Sequence, residues 1–140
     1  MHDAARLKTI TYTSLARLDL EERDLAAIHE TARHFNALHG VTGLLVFNGA
    51  RFLQVIEGSG EAVDNLVERL RRDRRHGGFE VRDERQIDAR AFPDWSMELV
   101  RVSPGWGDAP RQVARIIPSD VPEAVRRRIL DMAGTLAVAP

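Results

Sequence analysis

Asn48-Gly49 stands between two short apolar runs, residues 41–47 (VTGLLVF) and 51–57 (RFLQVIE). An Asn-Gly pair so placed is the strongest short-range signal for a β-hairpin, since both residues tolerate the positive φ of a tight turn. A helical pattern lies on each outer side of this hairpin. Upstream, Leu25, Ile28, Ala32, Phe35 and His39 recur at helical spacing, and Gly40 supplies a stop. Asp19, with Glu22 three residues on, reads as the N-cap of that helix, close to a capping box. Downstream, Gly58-Ser59-Gly60 breaks the strand, and Val63, Leu66, Val67 and Leu70 mark a second amphipathic helix that ends before Gly77-Gly78. Few folds accommodate a hairpin held between two helices.

The outer segments narrow the choice. Residues 7–14 alternate Ile10, Tyr12 and Ser14 against Thr9, Thr11 and Thr13, the period of a strand. Residues 79–87 form a more polar, edge-like strand, and 97–102 another after a bend at Phe92-Pro93-Asp94. The order β-α-β-β-α-β plus a fifth strand predicts an α+β, ferredoxin-like sheet with both helices on one face. Beyond Pro104 a short helix is expected over 108–117 and a longer one over 119–136. Ser119 or Asp120 caps the latter, Pro122 sits in its first turn, and Val125, Ile129, Met132 and Leu136 line one side. That stripe has to be covered by the open face of its own sheet or by another chain, a second copy included.

Composition removes whole classes of function. The 140 residues fit one domain, and the absence of cysteine excludes disulfides, thiolate metal sites and cysteinyl-cofactor adducts while fitting a reducing cytoplasm. Lys and Arg number 20 against 21 Asp and Glu, so no global basic field recruits nucleic acid. No apolar stretch is long enough to span a bilayer, and the first residues lack the apolar core of an export signal. His29, His34 and His39 step by five residues, about 140° each on a helix of about 3.6 residues per turn, so they share no metal-binding face. Ser14 has no His–acid companions for hydrolase chemistry. Arg69, Arg71, Arg72, Arg74 and Arg75 read as a solvated helix end suited to the helix dipole, and Arg126-Arg127-Arg128 as a water-facing run. Trp106 reads as packing for the tail helices.

Three polar side chains fall where the pattern calls for apolar ones. Tyr12, the single tyrosine, shares a strand face with Ile10, and Gln54 shares one with Phe52 and Ile56. Asn36 lies on the buried stripe of the first helix, four residues after Ala32. A buried amide left unpaired costs about 1–3 kcal/mol, so each side chain needs partners. Either each bonds nearby backbone, or the phenol and the two carboxamides ring one planar heterocycle with carbonyl and N–H groups on its edge.

Residues 12–16 (YTSLA), Asn36, 41–45 (VTGLL), 52–58 (FLQVIEG), 73–76 (DRRH) and 92–97 (FPDWSM) together resemble the BLUF family, blue-light sensors that use flavin adenine dinucleotide (FAD). The resemblance covers about residues 5 to 102 and implies a flavin-binding domain there, with 103–140 as a helical extension. It further implies FAD held non-covalently between the two helices, no substrate turned over, and a separate effector protein reached through strand five and the C-terminal helices. Tyr12 and Gln54 match the phenol and carboxamide that bond each other and the flavin edge. Asn36 matches the amide at the ring carbonyls, and Arg75 and His76 fall where the family approaches the FAD diphosphate or ribose. Trp95 and Met97 match strand-five residues near the glutamine that change environment on illumination. In the family, excited flavin takes an electron and a proton from the tyrosine. The glutamine is left rearranged or tautomerised, and the flavin spectrum shifts to the red.

Phe35 departs from this pattern where a polar residue is common, and Glu98 where glycine is frequent. Two rival readings remain. An acylphosphatase-like enzyme would need a phosphate loop after strand one, which is missing. A light-independent dimerisation module would explain the tail stripe but not the three inward polar residues.

Overall fold

The computed structural model describes residues 6–17, 19–74, 76–102 and 108–134. Its elements run β1 (Leu7–Ala16), α1 (Glu22–His39), β2 (Thr42–Phe47), β3 (Arg51–Ser59), α2 (Gly60–Arg71), β4 (His76–Ile87), β5 (Ser96–Arg101), α3 (Asp108–Ile116) and α4 (Glu123–Gly134). The strands form one sheet in the order β4-β1-β3-β2-β5. β1 is antiparallel to both β3 and β4, β2 is antiparallel to β3, and β5 joins β2 in parallel. This is the ferredoxin-like arrangement with a fifth strand added beside β2, and the polar strand β4 lies at an edge.

The hairpin forms with its turn one residue later than the Asn-Gly pair itself. Phe47 pairs with Phe52, and Asn48 N–H donates to the Arg51 carbonyl at 3.2 Å. Gly49 (φ 96) and Ala50 are the apex, with glycine at the first central position as a type II′ turn requires. Asn48 contributes through its side chain, whose Oδ1 accepts from Ala50 N–H (3.0 Å) and Arg51 N–H (2.7 Å).

Two helix starts differ from expectation. α1 is capped by a reciprocal pair of Glu21 and Asp24 rather than by Asp19 and Glu22, and Glu21 N–H donates to Asp24 Oδ2 at 2.8 Å. α4 begins at Glu123, not at Ser119 or Asp120. Val121 precedes Pro122, whose ring disfavours helical backbone in the residue before it. The intervening residues instead make a turn, with Val121 N–H donating to the Pro118 carbonyl at 3.2 Å. The Gly40 stop forms as expected, in left-handed conformation at φ 67. Ser59 caps α2, its hydroxyl accepting from Ala62 N–H at 3.2 Å.

The sheet has a core on each face. On one, α2 packs on Ile10, Tyr12 and Ile56, while Leu25 of α1 packs with Leu45, Phe52 and Met97. On the other, Leu44, Val46, Leu53, Val55 and Val100 meet Val113 of α3 and Ile129 and Ala133 of α4, with Val125 and Met132 beside them. The tail stripe is thus covered by its own sheet. Leu136 and Trp106 lie outside the described residues.

Candidate functional site

A cavity of about 330 Å³ opens between α1, α2 and the sheet. Its walls are Ile28, Ala32 and Phe35 from α1 and Leu66 and Leu70 from α2, over a floor of Leu45 and Phe52. Arg69, Arg72 and Asp73 stand at the α2 end. The Arg69 guanidinium lies 4.5 Å from the centre of the Phe35 ring, joining the two helices across the opening.

Tyr12 and Gln54 meet in this cavity because β1 and β3 set them directly opposite in the ladder. Cross-strand partners on one face bring their Cβ atoms within about 4.5–5.5 Å. Both side chains are 3% exposed, and the phenol donates to Gln54 Oε1 in a short hydrogen bond. Burial raises the Tyr12 phenol above its ordinary range, helped by the Asp73 carboxylate, so it stays protonated and acts as a donor. The other end of the amide is engaged as well: Gln54 Nε2 donates to Met97 Sδ at 3.3 Å. Phe79 stacks on Tyr12 with centroids 4.3 Å apart. Asn36, fully buried on α1, lines the same cavity.

His76 also lines the cavity, 6.2 Å centroid to centroid from Tyr12. Its Nε2–H donates to the Leu70 carbonyl at 2.7 Å, and its Nδ1 is 2.8 Å from Ser14 Oγ, which ties the end of α2 to β1. Arg75 lies outside the described residues. Trp95 is not at the cavity; its ring stacks on Phe92, centroids 5.3 Å apart, on the sheet face covered by α3 and α4.

The parting of Trp95 and Met97 has a local cause. Two residues apart on a regular strand, they would share a face. Here Gly43 pairs with Ser96 and Leu44 with Glu98, leaving Met97 as the extra residue of a bulge. Among the described residues Met97 is the one non-glycine with positive φ, at 134°. A residue held in a region that side chains rarely adopt costs about 1–3 kcal/mol. Opposite it, Gly43 has φ 150, and a Cβ there would lie 1.9 Å from the Val55 carbonyl oxygen.

Glu57 and its partners escaped the sequence reading. Its carboxylate is 1% exposed; Oε2 accepts from Ala91 N–H (2.9 Å), and Oε1 from Phe92 N–H (2.6 Å) and the Thr42 hydroxyl (3.1 Å). Arg90 donates to Thr42 Oγ1 (2.8 Å) and to the carbonyls of Glu57 (3.2 Å) and Gly40 (2.7 Å). Together they fasten the β4–β5 connection to β3. Burial pushes the Glu57 carboxyl up, while the donors around it and Arg90 pull the other way. The available signal was parity, since Glu57 continues the buried face of Leu53 and Val55.

Among the described residues no helix is long and apolar enough to cross a membrane, and no cluster of three metal-ligating side chains forms. A family model described as sensors of blue light using FAD (BLUF) matches residues 7–98. Photoactivated adenylate cyclase subunit beta of Euglena gracilis is 33% identical over 119 residues, which is 81% of this chain and 14% of that protein. The alpha subunit from the same organism is 37% identical over 71 residues, 51% of this chain and 7% of that one. The chain therefore spans about a seventh of the length of the first curated relatives it matches. Among solved structures, the dark-state BLUF protein BlrB superposes with TM-score 0.71 at 30% identity, covering 95% of this chain and 98% of that one. The BLUF portion of BlrP1 gives 0.79 at 28% identity, covering 95% and 90%.

Proposed function

The chain belongs to the BLUF family of blue-light sensors using FAD, and on that premise we propose that Tyr12, Gln54 and Met97 form its light-driven switch. The observation that carries this reading is the unbroken contact from phenol to carboxamide to thioether, the first two at the wall of one cavity and the third behind the amide. The cavity suits a flavin by its chemistry. Apolar walls take a flat ring, the Asn36 and Gln54 amides offer both donors and acceptors to its edge, and Arg69 and Arg72 at the α2 end suit phosphate. At about 330 Å³ it lies at the low end of ligand-pocket volumes, room for the ring system with the remainder outside. FAD rather than FMN is the proposed form.

A flavin bound there would supply absorption of blue light and a one-electron acceptor. Tyr12 is placed to give that electron and, through its O–H, a proton towards Gln54 Oε1, and both return to Tyr12 when the pair recombines, leaving no net redox change. A carboxamide keeps its shape on a half-turn but exchanges its donor and acceptor ends. After the exchange Nε2–H donates to the Tyr12 oxygen, and Oε1 faces the Met97 sulfur, an acceptor facing an acceptor. Met97 then loses its reason to stay. Because Met97 is the bulged residue of edge strand β5, its release is transmitted along β5. From there, with α3 and α4, it reaches a separate effector by contact. The relatives' cyclase activity is not assigned to this chain.

Protein purified in darkness is expected to be yellow, and its released cofactor to be FAD. Its flavin band should move to longer wavelength under blue light and return in darkness. Colourless protein that takes up neither added FAD nor added FMN would overturn the reading.

A further inference from the structure

α1 holds β5 at two points. Arg101 pairs with Glu22 near the start of the helix, and His29 reaches Met97 from its middle. The second contact is to the Met97 carbonyl, 2.8 Å from His29 Nε2. A carbonyl only accepts, so the ring proton lies on Nε2. As the extra residue of the bulge, Met97 falls outside the β2–β5 ladder, and a partly buried backbone carbonyl so displaced needs another donor. Its backbone also holds positive φ without being glycine.

We propose that His29 is a positioning residue of the switch: its Nε2–H fixes the bulged Met97 peptide and thereby seats the Met97 sulfur on Gln54 Nε2. Four side chains then act in series, His29 to Met97 to Gln54 to Tyr12, of which only the last three touch one another through side-chain atoms. This rests on the photoswitch reading for its effect in light, but not for its effect on Met97. The His29 contact belongs to the arrangement in which Met97 faces Gln54, so re-forming it is part of the return to darkness. Without it, the return slows.

The test compares flavin-loaded parent, His29→Leu, which loses the donor, and His29→Gln, which keeps an N–H near the same reach. Methyl-13C-methionine NMR in darkness reads Met97 directly, since the chain has only three methionines and Met97→Leu identifies the signal. The Leu variant should displace or split the Met97 methyl signal and slow dark recovery by roughly three- to tenfold, the span of one neutral hydrogen bond. The Gln variant should restore both. A Met97 signal at the parent position in His29→Leu would overturn the proposal, as would equal effects of Leu and Gln, which indicate packing alone. Should His29→Leu fail to fold, 15N shifts of the parent's histidines decide: His29 protonated at Nε2 supports the contact and a proton on Nδ1 alone refutes it. If the parent shows no light-induced shift, the photoswitch reading falls while the methyl comparison still judges His29.

Discussion

Tyr12 and Gln54 are direct partners across the β1–β3 ladder, both on strands hydrogen-bonded on two sides. The pair is therefore held by the most constrained part of the sheet, whereas Met97, the third member, sits on an edge strand. The strands beneath the phenol and the amide are braced on both sides, whereas the strand that carries the thioether has a free edge.

Tyr12→Phe should bind flavin as the parent does, because the ring that stacks on Phe79 is retained. The hydroxyl that would supply the electron and proton is gone, so illumination should produce no lasting red shift. Absorption spectra before and after blue light check this; a full, reversible shift in the variant would remove Tyr12 from the mechanism.

Gly43→Ala should destabilise the fold by about 3 kcal/mol, the upper part of the range for single substitutions. The added methyl meets the Val55 carbonyl oxygen at 1.9 Å, and the backbone holds φ 150. Urea unfolding measures the loss, and a change below about 1 kcal/mol would mean that the β2 backbone relaxes freely there.

Glu57 predicts a pH dependence with a definite sign. Burial raises its carboxyl above the ordinary value of 4.5, so the native chain retains a proton that the unfolded chain releases. Stability from this group is present below the ordinary range and is lost as pH rises through the raised native value. The melting temperature of the parent minus that of Glu57→Gln should therefore fall as pH is raised from about 4.5. A difference that grows with pH would show that the surrounding donors outweigh burial.

Ile129→Ala should cost about 2–4 kcal/mol, as large-to-small changes do in packed cores. Ile129 of α4 is 2% exposed against the sheet. Calorimetry of the full chain reads the loss. A neutral effect would mean that α4 does not pack on the sheet in solution.

The element order was legible because each segment keeps its own period, with Gly40 and Ser59 marking helix ends in standard ways. The cavity was legible for a related reason, since a phenol and two amides interrupt apolar faces. Other features left no local trace. The cap of α1 falls on Glu21, and glutamate is a weaker capping type than the aspartate two residues before it. The bulge at Met97 comes from tertiary pairing with β2, and only its partner, Gly43, carries a compositional mark. That bulge also sends Trp95 to the opposite face, which strict alternation does not foresee. His29 acts on a backbone carbonyl 68 positions away, and no spacing rule connects the two.

β3 is a partition one residue thick. Gln54 projects into the cavity, while Leu53, Val55 and Glu57 project into the packing beneath α3 and α4. Two rooms that share so thin a wall have no separate mechanical lives. A rotation of the backbone that tipped Gln54 one way would tip Leu53 and Val55 the other, within the cluster that also holds Ile129. From the Gln54 amide to the packing on the far side of the sheet is the depth of a single pleat.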